Sequence, residues 1–286
     1  MTKLINVGFN GSASSTEAVL WAAAEASKRG ARLRVISCHT TPVVPGAGFG
    51  LTTSEAYTSI LDETLGDLKR IQQEISEVHP TLDVTTLASS EPAEVCLLDD
   101  VSTDDLVVVG TSDHHGTAGF WLGGTAGHAV RHSPCPVVVV PEKGGRDLVD
   151  RIVVGVDGSP NSRRALQWAG DEADRCRARL LVVHAWIYPY MHADPDSGQV
   201  RDLTRVAAAC LLDGEVESAR EQFSADVTGR LVESSPSVGL LGIVQPGDLL
   251  VLGSNGHGAI HTALFGSTAR SVLDRCLVPC VVVRST

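Results

Sequence analysis

Short apolar runs alternate with amphipathic stretches along the whole chain. In the second half, residues 152–154 and 249–252 are apolar at every position, whereas residues 162–177 place their apolar side chains at helical spacing. Runs without polar alternation are typical of strands buried on both faces. Because such strands alternate with helical patterns, the sequence predicts an α/β fold, in which helices cover a parallel sheet.

The pattern also predicts the limits of single elements. In the second half we expect strands at Arg151–Val156, Arg179–Trp186, Asp226–Glu233, Asp248–Gly253 and Val281–Val283, and helical segments at Ser162–Arg177, Val200–Gln222, Val238–Val244 and Ser267–Cys276. Ser159 followed by Pro160 predicts a helix start, since a capping hydroxyl precedes a proline that suits the first turn. Gly30 predicts the end of the equivalent helix in the first half.

The two halves are copies of one another. Residues 5–36 align with residues 152–183 without a gap, and nearly half of the aligned positions are identical. Later segments align at a shift of 143 rather than 147, as a change in loop length between copies would produce. An internal repeat of this length predicts two consecutive domains, at 1–141 and 151–286, joined by a linker at 142–150.

Composition and charge exclude several classes of protein. The formal net charge is −11, which argues against phosphate-backbone contacts, so no nucleic acid partner is expected. No apolar run approaches the roughly 20 residues of a membrane span. The start of the chain lacks the apolar stretch of a secretory signal, and the seven cysteines form no C-x-x-C pair. We therefore expect a cytoplasmic protein with reduced thiols.

Candidate binding residues of the second half follow two predicted strands. Gly155 and Asp157 leave the first strand, and the glycine-rich segment Gly253–Ala259 leaves the fourth. In doubly wound sheets, ligands bind at the carboxyl ends of the strands, where the strand order reverses. Asp157 is suited to accept hydrogen bonds from a ligand, although an aspartate here also caps helices or shapes turns.

The glycine-rich segment and Gly266–Thr268 together describe a cradle for polyphosphate. Glycines let backbone N–H groups approach an anion, and hydroxyls at a helix start add donors next to the positive end of the helix dipole. A Walker A loop is absent, no lysine follows Lys143, and G-x-G-x-x-G does not follow the first strand. The sequence therefore predicts neither a P-loop nor a dinucleotide-binding fold.

The motif Gly253-x-x-Gly256-x(9)-Gly266-Ser267, with Asp157 after the first strand, resembles the nucleotide motif of the universal stress protein family. The resemblance covers nearly the whole chain as two consecutive family domains. It implies that each domain is doubly wound, with a five-stranded parallel sheet in the order 3-2-1-4-5 and helices on both faces. It also implies that ATP, with or without Mg²⁺, binds between strands one and four, while AMP and a cyclic nucleotide stay open as alternatives.

The resemblance assigns a role to each matching residue of the second domain. Gly155 and Asp157 would lie beside the adenosine, and Ala185 would line the adenine slot. The glycine-rich segment would wrap the ribose and phosphates, and the start of the last helix would hold the phosphates. The implied nucleotide-binding residues are Gly155, Asp157, Ala185, Gly253, Ser254, Asn255, Gly256, His257, Gly258, Ala259, Gly266, Ser267 and Thr268.

The first domain departs from this pattern. Asn10 stands at the position of Asp157, and Asp113 and His115 replace two glycines of the loop. Asp113 adds a negative charge where a phosphate would approach, so we expect this site to bind ATP weakly or not at all. The residues of this weaker candidate site are Gly8, Asn10, Gly110, Gly116, Gly123, Gly124 and Thr125.

The sequence favours an ATP-binding stress or signalling protein, in which occupancy biases a conformation or the binding of a protein partner. Phosphoryl transfer needs cationic groups around the γ-phosphate, and the second site offers backbone, hydroxyls and one aspartate. No catalytic residue and no metal ligand from a side chain is therefore assigned, and at most weak ATP hydrolysis is expected. The alternatives are a slow ATPase or nucleotidyl-transfer enzyme, and a nucleotide-independent interaction protein.

The last strand of each copy is short and apolar. Because bare apolar sheet edges are liabilities unless they are paired, we expect Pro136–Val140 and Val281–Val283 to pair with each other. Family dimers imply the same pairing, and a homo-oligomer is expected in addition.

Overall fold

A computed structural model describes residues 3–39, 54–111, 123–143, 149–188, 197–256 and 266–284. The chain divides into two compact units, a first unit before residue 147 and a second unit after it. The predicted domain limits at 141 and 151 stay a prediction. In the described residues, no helix is long and apolar enough to cross a membrane, and all seven cysteines are free thiols.

The first unit alternates strands and helices throughout. Its elements are β1 (Leu4–Gly8), α1 (Ala13–Arg29), β2 (Arg32–Cys38), α2 (Ser54–Val78), β3 (Val84–Ser89), α3 (Ala93–Cys96), β4 (Leu106–Gly110), α4 (Gly124–His132) and β5 (Val137–Val140). The strands lie in the order β3-β2-β1-β4-β5, and every neighbouring pair is parallel.

The second unit repeats this order of elements. They are β6 (Arg151–Gly155), α5 (Pro160–Cys176), β7 (Arg179–Trp186), α6 (Ser197–Gln222), β8 (Val227–Glu233), α7 (Pro236–Leu241), β9 (Asp248–Gly253), α8 (Ser267–Leu273) and β10 (Cys280–Val283). Its strands lie in the order β8-β7-β6-β9-β10 and are again parallel. In chain order both units follow 3-2-1-4-5, so the predicted fold is confirmed.

Helices cover both faces of each sheet. In the first unit α1 contacts α2, and α3 contacts α4; in the second unit α5 contacts α6, and α7 contacts α8. The central strands are buried along their length: residues 4–7 of β1 and 152–154 of β6 are all buried. Burial on both faces explains why these strands are apolar without alternation, except at Asn6 of β1, whose Nδ2 donates to the carbonyl oxygen of Leu97 at 3.0 Å.

Both predicted helix boundaries are confirmed. Oγ of Ser159 accepts a hydrogen bond from the backbone N of Ser162 at 3.2 Å, and Pro160 lies in the first turn of α5. Gly30 ends α1 with φ of 62°, in the left-handed region that glycine adopts without a steric cost. At the same place in the second unit, Arg177 ends α5 with φ of 56°.

Candidate functional site

The candidate site of the second unit lies where the strand order reverses. β6 is the central strand, with β7 on one side and β9 on the other. The chain leaves β6 and β9 at their carboxyl ends in two loops, which diverge because α5 and α8 lie on opposite faces of the sheet. A crevice at this position is the usual ligand site of doubly wound folds.

A cavity of about 500 Å³ occupies this crevice, a volume in the range of small-molecule and cofactor sites. It brings together ten of the thirteen residues predicted for the site. These are Gly155, Asp157, Ala185, Gly253, Ser254, Asn255, Gly256, Gly266, Ser267 and Thr268. His257, Gly258 and Ala259 lie outside the described residues.

The wall of the cavity has an apolar and a polar part. The apolar part holds Val156, Val183, Ala185, Pro236, Leu240 and Leu252. The polar part comes from the loops after β6 and β9 and from the first turn of α8. Among the described residues of the lining, Asp157 is the one charged side chain and Lys and Arg are absent. The cavity therefore suits a ligand with a flat apolar end and a polar end.

Asp157 is held in place by the turn that starts α5. Its Oδ1 accepts a hydrogen bond from the backbone N of Ser159 at 3.0 Å, and its own backbone N donates to Oγ of Ser162 at 3.3 Å. Gly158 between them has φ of 78°, which glycine adopts at no steric cost. Asp157 thus shapes the turn, as one interpretation of the sequence held, and it lines the cavity as well.

A histidine that was not predicted braces the same turn. Nδ1 of His184, on β7, lies 2.7 Å from the carbonyl oxygen of Val156. Since a carbonyl only accepts, Nδ1 carries the proton and donates this hydrogen bond. The contact links the end of β6 to β7 next to Ala185. The only signal for this contact in the sequence is the presence of a histidine inside an apolar strand.

Three glycines of the second unit are required by close packing. A Cβ atom on Gly253 would lie 2.9 Å from the backbone of Asn161 in α5, and one on Gly155 would lie 3.0 Å from Cδ1 of Leu240. A Cβ atom on Gly256 would collide with Oδ2 of Asp157. Gly253 and Gly155 therefore let helices approach the strands, whereas Gly256 keeps space around the carboxylate.

The loop after β9 is tied to the last helix. The backbone N of Gly266 donates to the carbonyl oxygen of Ser254 at 2.9 Å, and the backbone N of Ser254 donates to that of Val283. Oδ1 of Asn255 is buried and has no hydrogen-bond partner within the described part of the chain. A buried acceptor without a partner is costly and calls for an explanation, such as a ligand that donates to it.

The first unit repeats the turn after its first strand. Oδ1 of Asn10 accepts from the backbone N of Ser12 at 3.1 Å, and the backbone N of Asn10 donates to Oγ of Ser15 at 3.3 Å. The amide therefore keeps the acceptor role of Asp157 without its charge. A Cβ atom on Gly110 would lie 2.7 Å from the carbonyl oxygen of Ser14, so this glycine serves helix packing, as Gly253 does.

The remaining predicted residues of the first unit are placed only in part. Gly8 ends β1 next to Leu97, the residue that follows α3, while Gly123 precedes α4, whose first residues are Gly124 and Thr125. Asp113, His115 and Gly116 lie outside the described residues. That the first site binds ATP weakly or not at all therefore stays a prediction.

Sequence reasoning missed most of the apolar wall. Pro236 and Leu240 belong to α7, the short helix between β8 and β9, and Val183 lies two residues before Ala185 on β7. Val183 could have been predicted from its position in β7, because alternate residues of a strand share a face. For α7 no local signal identified the side that faces the cavity.

Comparison with known proteins identifies the family. The profile of the Universal stress protein family matches residues 1–141 and again residues 149–284. The chain belongs to the universal stress protein family. Two matched domains in one chain make it a tandem member of that family.

Relatives of similar length align with nearly the whole chain. A universal stress protein of Mycolicibacterium smegmatis is 28% identical over 286 residues, which cover 98% of this chain and 96% of the relative. A universal stress protein of Mycobacterium tuberculosis is 29% identical over 308 residues, with 98% and 94% covered. The crystal structure of a universal stress protein from Archaeoglobus fulgidus matches with a TM-score of 0.65 at 16% identity, covering 98% of each chain. At that identity the structural match supports the fold alone.

Proposed function

We propose that the second unit binds an adenine nucleotide, ATP in the first place, in the cavity at the carboxyl ends of β6 and β9. The observation that carries the proposal is the division of this cavity of about 500 Å³ into an apolar wall and two polar loops. A nucleotide has the same division, since a flat base is joined to a sugar and charged phosphates.

The apolar wall suits the base. Val183 and Ala185 from β7 face the same cavity as Leu240 from α7, so a planar ring would bury its faces against aliphatic side chains. Burial of apolar surface contributes about 25 cal/mol per Å². This wall has no polar side chain to hydrogen-bond with the edge of the ring, so backbone groups would have to recognise the adenine.

The polar loops suit the sugar and phosphates. The unpartnered Oδ1 of Asn255 is an acceptor for a ribose hydroxyl, and Asp157 offers a carboxylate in the same cavity. The hydroxyls of Ser267 and Thr268 offer donors to phosphate oxygens. Mg²⁺, where present, would be held by phosphate oxygens and waters.

The role that fits such a site is binding that biases a conformation or a protein partner. The described residues of the lining include no cationic side chain, and phosphoryl transfer relies on such groups. We therefore propose a nucleotide-dependent role in stress response or signalling, in the cytoplasm, with hydrolysis slow at most.

Two measurements test the proposal. Mass analysis of the small molecules released when the purified protein is denatured should identify an adenine nucleotide. Calorimetry with ATP, AMP and a cyclic nucleotide should then give one tight site per chain for the preferred ligand. Two equal tight sites would contradict the weakened first site, and the absence of binding to all three would overturn the proposal.

A link to signalling needs a further readout. Hydrogen exchange with and without ATP should show protection in the loops after β6 and β9, and also at peptides that do not line the cavity. Protection confined to the residues that line the cavity would indicate binding without a conformational response. Rapid release of phosphate in the same samples would support the ATPase alternative instead.

A further inference from the structure

Two cysteines lie close together in the first unit. Cys38 ends β2, and Cys96 ends α3, which packs on β2. Sγ of Cys96 donates a hydrogen bond to Oγ of Ser89 at 3.3 Å, and Ser89 is the residue of β3 that pairs with Cys38. Two cysteines from separate elements thus lie next to the same residue.

The second unit shows the spacing that the backbone gives to these two positions. Leu97 covers Gly8 as Leu240 covers Gly155, so α3 and α7 are equivalent in register. Cys96 then corresponds to Gly239, and Cys38 corresponds to Ala185, because the pairing of β2 with β1 matches that of β7 with β6.

A Cβ atom added at Gly239 would lie 3.6 Å from the Cβ of Ala185. Disulfides place their Cβ atoms about 3.5–4.5 Å apart. The second unit therefore holds these two positions at the spacing of a disulfide, and the first unit carries a cysteine at both equivalent positions.

We propose that Cys38 and Cys96 are a reversible dithiol–disulfide pair that exchanges with low-molecular-weight disulfides. The thiolate of Cys38 attacks one sulfur of the small disulfide, which forms a mixed disulfide and releases one small thiolate. The thiolate of Cys96 then attacks Sγ of Cys38, forms the Cys38–Cys96 bond and releases the second small thiolate. The two protons lost by the cysteines end on the two released thiols, and the small disulfide takes up two electrons.

Exposure sets the order of these steps. Cys38 is half-buried, whereas Cys96 is 7% exposed. A small disulfide therefore reaches Cys38 first, and Cys96 resolves the adduct from inside the unit.

The surroundings of Cys38 keep its sulfur protonated at neutral pH. Burial, the hydrogen bond and charge of Cys96, and the charge of Glu94 raise the pKa of Cys38 to about 12. Cys96 and Glu94 both belong to α3. Because the thiolate is the attacking form, exchange is slow at pH 7 and its rate rises about tenfold per pH unit below this pKa.

The position of the pair gives the bond a structural consequence. Cys38 occupies the position equivalent to Ala185, which lines the cavity of the second unit. Cys96 lies on α3, the helix equivalent to α7, and α7 forms part of the wall of that cavity. A disulfide would fix α3 to the end of β2. The inference does not depend on nucleotide binding by either unit.

The test is exchange of the full-length reduced protein with oxidised glutathione, followed by alkylation and peptide mapping. We expect Cys38 and Cys96 to lose their thiols together, to appear as one linked peptide pair, and to return to thiols with dithiothreitol. The rate should be roughly 100-fold higher at pH 9 than at pH 7. Exposed Cys210 reports in the same sample that the reagent is active.

Matched variants separate the pair from general thiol reactivity. Cys38→Ala installs the residue that the second unit carries at this position, and it should leave Cys96 as an unreacted thiol. Cys96→Ala should leave a glutathione adduct on Cys38 that is not resolved. An adduct on wild-type Cys38 that persists beside a free Cys96 overturns the proposal. So does retention of both thiols at pH 9 when the incubation lasts roughly 1,000-fold longer than full modification of Cys210 requires, because the raised pKa of Cys38 leaves about that much less thiolate than in an ordinary cysteine.

Discussion

Gly256 lies so close to Asp157 that a Cβ atom on the glycine would collide with Oδ2 of the carboxylate. The two residues come from different loops, one after β9 and one after β6. Gly256 is outside the left-handed region that the described glycines with positive φ occupy, so backbone strain does not explain the glycine here. What the site requires is space next to the carboxylate.

This contact predicts the effect of Gly256→Ala. The added methyl group displaces the carboxylate of Asp157, while the backbone of the loop can stay in place. We expect ATP affinity to fall by about tenfold or more, equivalent to about 1.4 kcal/mol. Calorimetry measures the affinity, and thermal unfolding should show that the second unit is still folded.

Gly66→Ala is the matched control for this change. Gly66 lies within α2, and a Cβ atom there would have nothing within 4 Å. Alanine in a helix interior is more favourable than glycine by about 1 kcal/mol, so stability should rise slightly and ATP binding should not change. If Gly256→Ala bound ATP as tightly as Gly66→Ala does, the assignment of the cavity would be wrong.

Asp157 has two roles that substitutions can separate. Asn10 shows that an amide makes the same turn in the first unit. Asp157→Asn should therefore leave stability almost unchanged and weaken ATP binding, because the charge is lost. Asp157→Ala should weaken binding and also lower the free energy of unfolding by about 0.5–1.5 kcal/mol, since the hydrogen bond to Ser159 is lost.

Asn10→Ala is the control for the turn alone. It removes the same backbone hydrogen bond in the first unit, so it should cost a similar amount of stability while leaving ATP binding to the second unit intact. Calorimetry and chemical unfolding of the three variants measure both effects. Equal ATP affinity of Asp157→Asn and the wild type would limit Asp157 to a structural role.

The fold and the polar part of the cavity could be predicted from the sequence because their signals are local. The strand Asp248–Gly253 and the helix start at Ser159 were predicted from apolar runs and capping residues, and both are as expected. The loop residues follow strand ends directly, so a parallel sheet necessarily brings them to one edge.

The rest of the cavity depends on contacts that sequence spacing does not encode. Leu240 reaches the site because α7 packs over Gly155, and the sequence gives no sign of which face of that short helix does so. Cys38 and Cys96 are far apart in the chain and carry no spacing motif. Only the packing of α3 on β2 brings them together.

A buried carboxylate in the first unit predicts sensitivity to acid. Asp105 accepts hydrogen bonds from the backbone N atoms of Lys3, Leu4 and Ser102 and from Oγ of Ser102, at 2.7–3.2 Å. Burial acts to raise the pKa of Asp105, but the hydrogen bonds outweigh it, first those of Ser102, and the pKa is below its usual value of 3.8.

A lowered pKa in the folded state stabilises the fold above the unfolded pKa of about 3.9, and this stabilisation is lost as the pH falls through the folded pKa. Asp105→Asn places an amide donor against N–H donors and should lower the free energy of unfolding at pH 7 by about 1–3 kcal/mol. The difference between variant and wild type should shrink below pH 4. Urea unfolding at pH 7 and pH 3 measures it, and a constant difference would contradict the assignment.

The end of α5 predicts a stabilising substitution. Arg177 has φ of 56° where Gly30 has φ of 62° at the end of α1. A side chain in the left-handed region costs roughly 1 kcal/mol, so Arg177→Gly should stabilise the second unit by about 0.5–1 kcal/mol. The reverse change, Gly30→Arg, should destabilise the first unit by a similar amount. Hydrogen exchange of β6 and β1 peptides reports each unit separately, and the explanation fails if Arg177→Gly speeds exchange in β6.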